Sequence, residues 1–326
     1  MRRMAIVILA AGLAVPAVAR AAGGPVAPVE GGSGVGVPGG SVRYLTVNVP
    51  GRTILERLDK HGVESWQNLR GLFGVPAAAL DRSTTGLSAD GRTLVLAGFP
   101  QRYPPLRTRL LVLRLERFGA HVQDRLSIRG YFTVDAISPD GRRLYLIHYT
   151  HPRQDVLRYE VRAYDLRARR LLAKPIVDPR EPDEKMQGQP QARVMSADGR
   201  WAYTLYSRAQ GAPFVHALDT RAGTAACIDL DGLTNPADGA LRLLPPRGNG
   251  PLVVAYSGGP VKLIDRRTFA VSDPPTPTNP RKPAARHAAA SPDRGGGLPW
   301  AAGAALLAAI ALLGVTTRAA RARSAE

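Results

Sequence analysis

Ser88-Ala-Asp-Gly-Arg92, Ser138-Pro-Asp-Gly-Arg142 and Ser196-Ala-Asp-Gly-Arg200 are three near-copies of one phrase. An apolar, β-prone run follows each: Leu94–Ala97, Leu144–Ile147 and Trp201–Tyr206. A short extended segment precedes each, ending in Leu87, Ile137 or Met195. Strand, Asp-Gly turn, strand is a hairpin signature, because Gly supplies the positive φ that a tight turn needs. Its return at a near-constant interval means a repeat architecture, which outweighs any single-residue reading.

The repeat extends outward in both directions. Pro245-Pro-Arg-Gly248 before Leu252–Tyr256 is a degenerate fourth copy, and Pro38-Gly-Gly40 before Arg43–Val47 a weaker fifth. The glycines Gly40, Gly91, Gly141, Gly199 and Gly248 thus recur every 49 to 58 residues. A second marker keeps the same register. Each unit holds another strand running into an acidic turn: Ile54–Asp59, Leu110–Glu116, Val161–Asp165, Phe214–Asp219 and Val261–Asp265. There the acidic side chain can cap backbone N–H groups. A unit of about 50 residues with three or four short strands suits a propeller blade, which hides both faces of its sheet only against neighbours.

Over residues 40–275 the chain resembles the YVTN-type and WD-repeat-like β-propellers. Their units read Ser-Pro-Asp-Gly, a strand, then a strand ending in Asp with a Gly a few residues later. The Tyr-Val-Thr-Asn box itself is absent, replaced by Leu144-Tyr-Leu-Ile147 and its kin. Such propellers serve as lactonases, dehydrogenase subunits and binding platforms, so the resemblance implies a fold and leaves function open. The expectation is an all-β propeller of about five blades over residues 41–271.

The two ends give an address. Arg2 and Arg3, the apolar run Met4–Val15 and Ala17-Val-Ala19 read as a secretory signal over residues 1–21, cleaved after Ala19 or Ala21. Residues 22–40 read as a Gly/Pro-rich linker, in which Gly34-Val-Gly-Val-Pro-Gly39 matches the dinucleotide fingerprint in form only, lacking a βαβ unit. Residues 272–297 read as a Pro-rich stalk. Leu298–Thr317 carries no charge over 20 residues, about 30 Å as a helix, which matches a bilayer core. Trp300 stands at its start, and Arg318, Arg321 and Arg323 in the tail 318–326 place the C-terminus inside. Leu298-Pro-Trp-Ala301 resembles a sortase signal, but Ala301 and Ala302 occupy the places of the required Thr and Gly. The expected product is exported and held in the plasma membrane by a single C-terminal transmembrane helix, with the propeller outside.

Composition bounds the partners. The 326 residues carry a net charge of +18, nearly all from arginine. The arginines are dispersed without a dense block or aromatic interleaving, which argues against nucleic acid and leaves anionic small molecules, wall polymers or another protein. The single Cys227 excludes an internal disulfide and a cysteine-based zinc site. Tyr256-Ser-Gly-Gly259 is no nucleophile elbow, and His148 and His151 fall on opposite faces of a strand. Asp229-Leu-Asp-Gly232 lacks the calcium-loop series, and the acidic insertion Lys174–Ala192 reads as a solvated loop. No catalytic residue, metal ligand or cofactor is assigned. The remaining candidates line the axis. Counting three residues back from each turn gives Thr85, Asp135, Arg193 and Arg242, four positions at one expected depth. They form either an anion-binding site or an ion-pair network that plugs the channel. The expected function is a cell-surface binding or scaffolding module; the alternative is a lactonase-like hydrolase acting on a small anionic substrate.

Overall fold

The structure, a computed structural model, describes residues 25–275 apart from 38, 118, 152–157, 184–185 and 237–240. The chain divides into two compact units, Met1–Pro275 and Thr276–Glu326, and the described residues lie in the first. The signal segment and Leu298–Thr317 lie outside the described residues. Among the described residues no helix is long and apolar enough to cross a membrane.

The phrase folds as its chemistry dictates. Ser88 Oγ donates to Asp90 Oδ1 at 2.5 Å and accepts from Thr93 N at 2.9 Å, while Arg92 N donates to Asp90 Oδ1 at 2.9 Å. Ser138 with Asp140 and Ser196 with Asp198 repeat the arrangement at 2.6 Å each. Gly91, Gly141 and Gly199 all take φ 68°, which a residue with a Cβ rarely adopts. The side chains of Ser and Asp thus satisfy N–H groups of the turn itself.

Among the described residues, twenty strands make five four-stranded antiparallel sheets, each built from consecutive strands. Blade 1 is β1 (Val35–Gly36), β2 (Arg43–Val49), β3 (Arg52–Asp59) and β4 (Gly62–Arg70). Blade 2 is β5 (Phe73–Gly74), β6 (Thr93–Gly98), β7 (Arg107–Glu116) and β8 (Gly119–Arg129). Blade 3 is β9 (Phe132–Ile137), β10 (Arg143–Tyr149), β11 (Tyr159–Asp165) and β12 (Arg170–Ile176). Blade 4 is β13 (Gln189–Met195), β14 (Trp201–Ser207), β15 (Phe214–Asp219) and β16 (Thr224–Asp229). Blade 5 is β17 (Arg242–Leu244), β18 (Leu252–Tyr256), β19 (Gly259–Ile264) and β20 (Val271–Ser272). The all-β expectation holds, and the five sheets match a five-bladed propeller. The segment read as a linker contributes more than a tether. It supplies β1, and Val29 exchanges both backbone bonds with Val75 at 2.8 and 2.9 Å. A Cβ on Gly34 would collide with the Tyr44 carbonyl, so that glycine serves a close backbone approach.

Alternation distributes each strand between two joints. In β6, Leu94 and Leu96 enter the core shared with blade 1, and Val95 and Ala97 the core shared with blade 3. Blades 3 and 4 meet through residues such as Tyr145, Val161, Tyr206 and Leu218. Blades 4 and 5 meet through Tyr203, Leu205, Leu252 and Val254. Among the described residues no such cluster joins blade 5 to blade 1.

Candidate functional site

Three of the four axial residues come together. Asp135 is the extra residue of a bulge in β9: Tyr145 pairs with Ala136 and Leu146 with Val134, which leaves Asp135 out of the ladder. A bulge re-aims both side chain and carbonyl. The freed carbonyl accepts from Thr85 Oγ1 at 3.2 Å and from Arg193 Nη1 at 2.7 Å. Its carboxylate pairs with Arg193 Nη2, and Arg193 Nε donates to Thr204 Oγ1 at 2.7 Å. Both charged side chains are only 2% exposed. Burial pulls the Arg193 guanidinium down to about 10, which still leaves it protonated at neutral pH. This is the form of an ion-pair network bridging blades 2, 3 and 4, with its donors spent inside the protein.

Arg242 does not join them. It is exposed, and Nη1 donates to the Leu241 carbonyl at 3.2 Å. Its neighbour Leu243 is the one that packs against blade 4. The reason is register. Met195 pairs with Ala202 but Leu244 with Val253, so the intervening loop grows from six residues to eight. Counting back from the turn therefore slips by one residue, and a slip of one turns a side chain to the opposite face.

A feature without sequence signal links blades 2 and 4. Between β5 and the phrase of blade 2 the chain makes a small hairpin, with Ala77 bridged to Thr84 and Ala78 N bonded to the Ser83 carbonyl at 2.8 Å. Leu80 N and Asp81 N donate to the carbonyls of Pro190 and Gln191 in blade 4 at 2.9 and 3.1 Å. Thr84 Oγ1 donates to the Gly34 carbonyl of blade 1 at 2.8 Å. Ala77, Ala78 and Ala79 are buried, small enough for the hairpin to cross from blade 2 to blade 4.

The acidic insertion is solvated over Pro179–Asp183 as expected, but it is anchored at Asp178. Asp178 is buried, accepts from Cys227 N at 2.8 Å and pairs with Arg180 at 2.6 Å. Although burial opposes it, these bonds hold its carboxyl at about 2. His216 lies directly across from Thr204 and Cys227 on blade 4. Burial, helped by the Arg193 charge, pushes it down to about 3. Its folded value is depressed, so the unfolded chain binds the extra proton between about pH 6.5 and 3. Stability is then fully present above pH 6.5 and falls as the solution is acidified toward 3. Melting temperatures of the wild type and His216→Gln across this window are expected to converge at low pH; parallel curves would sink the assignment.

The residues with room for a ligand lie elsewhere, in a groove of about 580 Å³ between blades 2 and 3. The arm Pro25–Pro28, the loop after β6 and the start of β9 form its walls. Phe99, Tyr103, Tyr131 and Phe132 give it an aromatic floor and rim, with Tyr103 set edge-on to Tyr131 at 5.5 Å. Arg102, Arg107 and Arg109 are its only charged residues among those described. Arg109 Nη2 holds the loop through the Phe99 carbonyl at 3.1 Å, and Arg107 Nη2 donates to the Ser127 carbonyl at 2.6 Å. Sequence reading missed this groove because its walls come from three separated segments. The Pro- and Arg-rich run Phe99–Arg109 was its one local signal.

Comparison with known proteins returns only distant likenesses to solved structures. No protein family and no curated protein matches the chain. TolB from Acinetobacter baumannii is a similar solved structure, at 17% identity and TM-score 0.39 over 73% of this chain and 53% of that one. A putative TolB from Agrobacterium tumefaciens matches at 16% identity and TM-score 0.38, over 76% and 79%. A putative 6-phosphogluconolactonase from Bacteroides uniformis matches at 16% and 0.38, over 72% and 67%. The chain spans about half the length of the first of these.

Proposed function

We propose that the protein is an exported, membrane-anchored binding module whose groove between blades 2 and 3 takes an anionic ligand with a flat apolar body. The observation that carries this reading is the lining itself: aromatic rings beside arginines, with no Asp, Glu or His among them. Such a surface stacks an apolar body and pairs a carboxylate or phosphate, because guanidinium forks match those groups. Among the described lining residues it offers no acid–base pair, so the hydrolase alternative gains no support from it. The secretory and membrane segments of the sequence support the outside placement.

The probes are 2-naphthoate and its uncharged amide, titrated calorimetrically. The acid is expected to bind at least tenfold more tightly than the amide, and Arg102→Gln is expected to remove most of that difference. Equal binding of the two, or an unchanged ratio in the variant, would overturn the groove assignment. Protease added to intact cells is expected to remove residues 40–275 and spare a short C-terminal fragment; a protected domain would refute the external placement.

A further inference from the structure

The joint between blades 3 and 4 is not purely apolar. Arg193, Thr204, His216 and Cys227 stand in one row across the four strands of blade 4. Phe214 and Ala225, each two residues from a member of that row, belong to the core shared with blade 3. Alternation therefore turns His216 and Cys227 toward blade 3 as well, while Ile228 on the other face packs with blade 5. Directly paired side chains of an antiparallel sheet have Cβ atoms about 5 Å apart, so imidazole and thiol are neighbours. Tyr159 of blade 3 and Tyr206, stacked at 5.5 Å, both lie within electrostatic reach of Cys227.

His216 is only 1% exposed, yet its Nε2 has no hydrogen-bond partner. A closed joint rarely leaves a buried polar atom unsatisfied unless something further belongs there. Burial keeps the imidazole neutral, so it has a lone pair to offer, and the Arg193 charge beside it is matched by Asp135. Among the described residues no group of three His, Cys, Asp or Glu side chains could hold a metal ion. Zinc, which takes three or four protein ligands, is thus not served. A soft monovalent ion accepts thiolate and imidazole and is content with two donors. Cys227 also lines a surface cleft of about 270 Å³ with Glu181 and Asp229, whose carboxylates suit the approach of a cation.

We propose that Cys227 Sγ and His216 Nε2 together bind one soft monovalent metal ion, of the copper(I) and silver(I) class, inside this joint. The ion takes the place of the thiol proton, which leaves to solvent, so the net charge buried in the joint does not change. The thiolate supplies the negative partner, and the metal satisfies the orphaned nitrogen.

The full chain in detergent is titrated anaerobically with copper(I) against the competing chelator bicinchoninate, and the loaded protein is read by X-ray absorption. The wild type is expected to bind one equivalent, with one sulfur and one imidazole nitrogen around the metal. Cys227→Ser is expected to abolish binding. His216→Gln is expected to weaken it at least tenfold and to remove the imidazole from the spectrum. Zinc is expected not to compete. The wild-type spectrum decides without any variant, so a substitution that unfolds the chain leaves the test standing. A spectrum without imidazole nitrogen, no binding at one equivalent, or equal affinity in the wild type and a folded His216→Gln chain would each overturn the proposal.

Discussion

Gly141→Val is expected to destabilise the propeller by about 3–5 kcal/mol, combining left-handed backbone strain with overpacking. Gly141 takes φ 68°, and a Cβ there would collide with Thr93 Oγ1 of blade 2. The neighbour is a side chain at the start of β6, held on both sides, with little room to retreat. Gly91 isolates the two contributions. It has the same φ, but the nearest atom to its would-be Cβ is Val37 Cγ2 at 3.4 Å, an ordinary contact. Gly91→Ala is therefore expected to cost only about 1–2 kcal/mol, the backbone part alone. Chemical denaturation of both variants checks the pair. Equal losses would mean that close approach of the turns is irrelevant, and unchanged stability would mean that these are not structural turns.

Asp135→Ala is expected to cost about 3–5 kcal/mol, because it strands the Arg193 charge in a site closed to water. Arg193→Met strands the carboxylate and is expected to cost a similar amount. The double variant Asp135→Ala/Arg193→Met removes both charges and is expected to recover much of the loss, since a buried pair returns little beyond its own desolvation. Arg242→Ala, by contrast, is expected to stay within about 0.5 kcal/mol of the wild type, as an exposed substitution. Urea denaturation of the four proteins decides. A double variant as unstable as the two single losses added together would show that Asp135 and Arg193 act independently, against the geometry.

The turns were legible because their chemistry is local. Ser, Asp and Gly within five residues satisfy one another's backbone groups, and no distant contact is needed to recognise them. The strands flanking them were legible through short continuous apolar, β-prone runs. The axial residues were legible in part, since Thr85, Asp135 and Arg193 share the spacing of an undistorted turn. What failed was anything that depends on insertion. Two extra residues in the turn of blade 5 moved Arg242 to the wrong face, and the bulge that aims Asp135 leaves no mark in composition. The hairpin Pro76–Thr85 reads as an alanine-rich loop, because its partners in blades 1 and 4 are remote in sequence. Asp178 looked solvated for the same reason: its partner Cys227 N belongs to another blade.

Among the described residues, four cored joints among five blades leave two ends. In a closed ring, loosening any one blade must break two interfaces at once. Here, among the described residues, blades 1 and 5 each share a core with a single neighbour. Blades 2, 3 and 4 are also tied across one another by the Leu80 and Asp81 bonds and the Arg193 network, so the two end blades are the least coupled. Such an arrangement frays from its termini inward, and its most protected backbone is that of blade 3, far from either end. Blade 3 also carries Asp135 and its bulge, so the network that ties the axis together sits where the propeller is slowest to open.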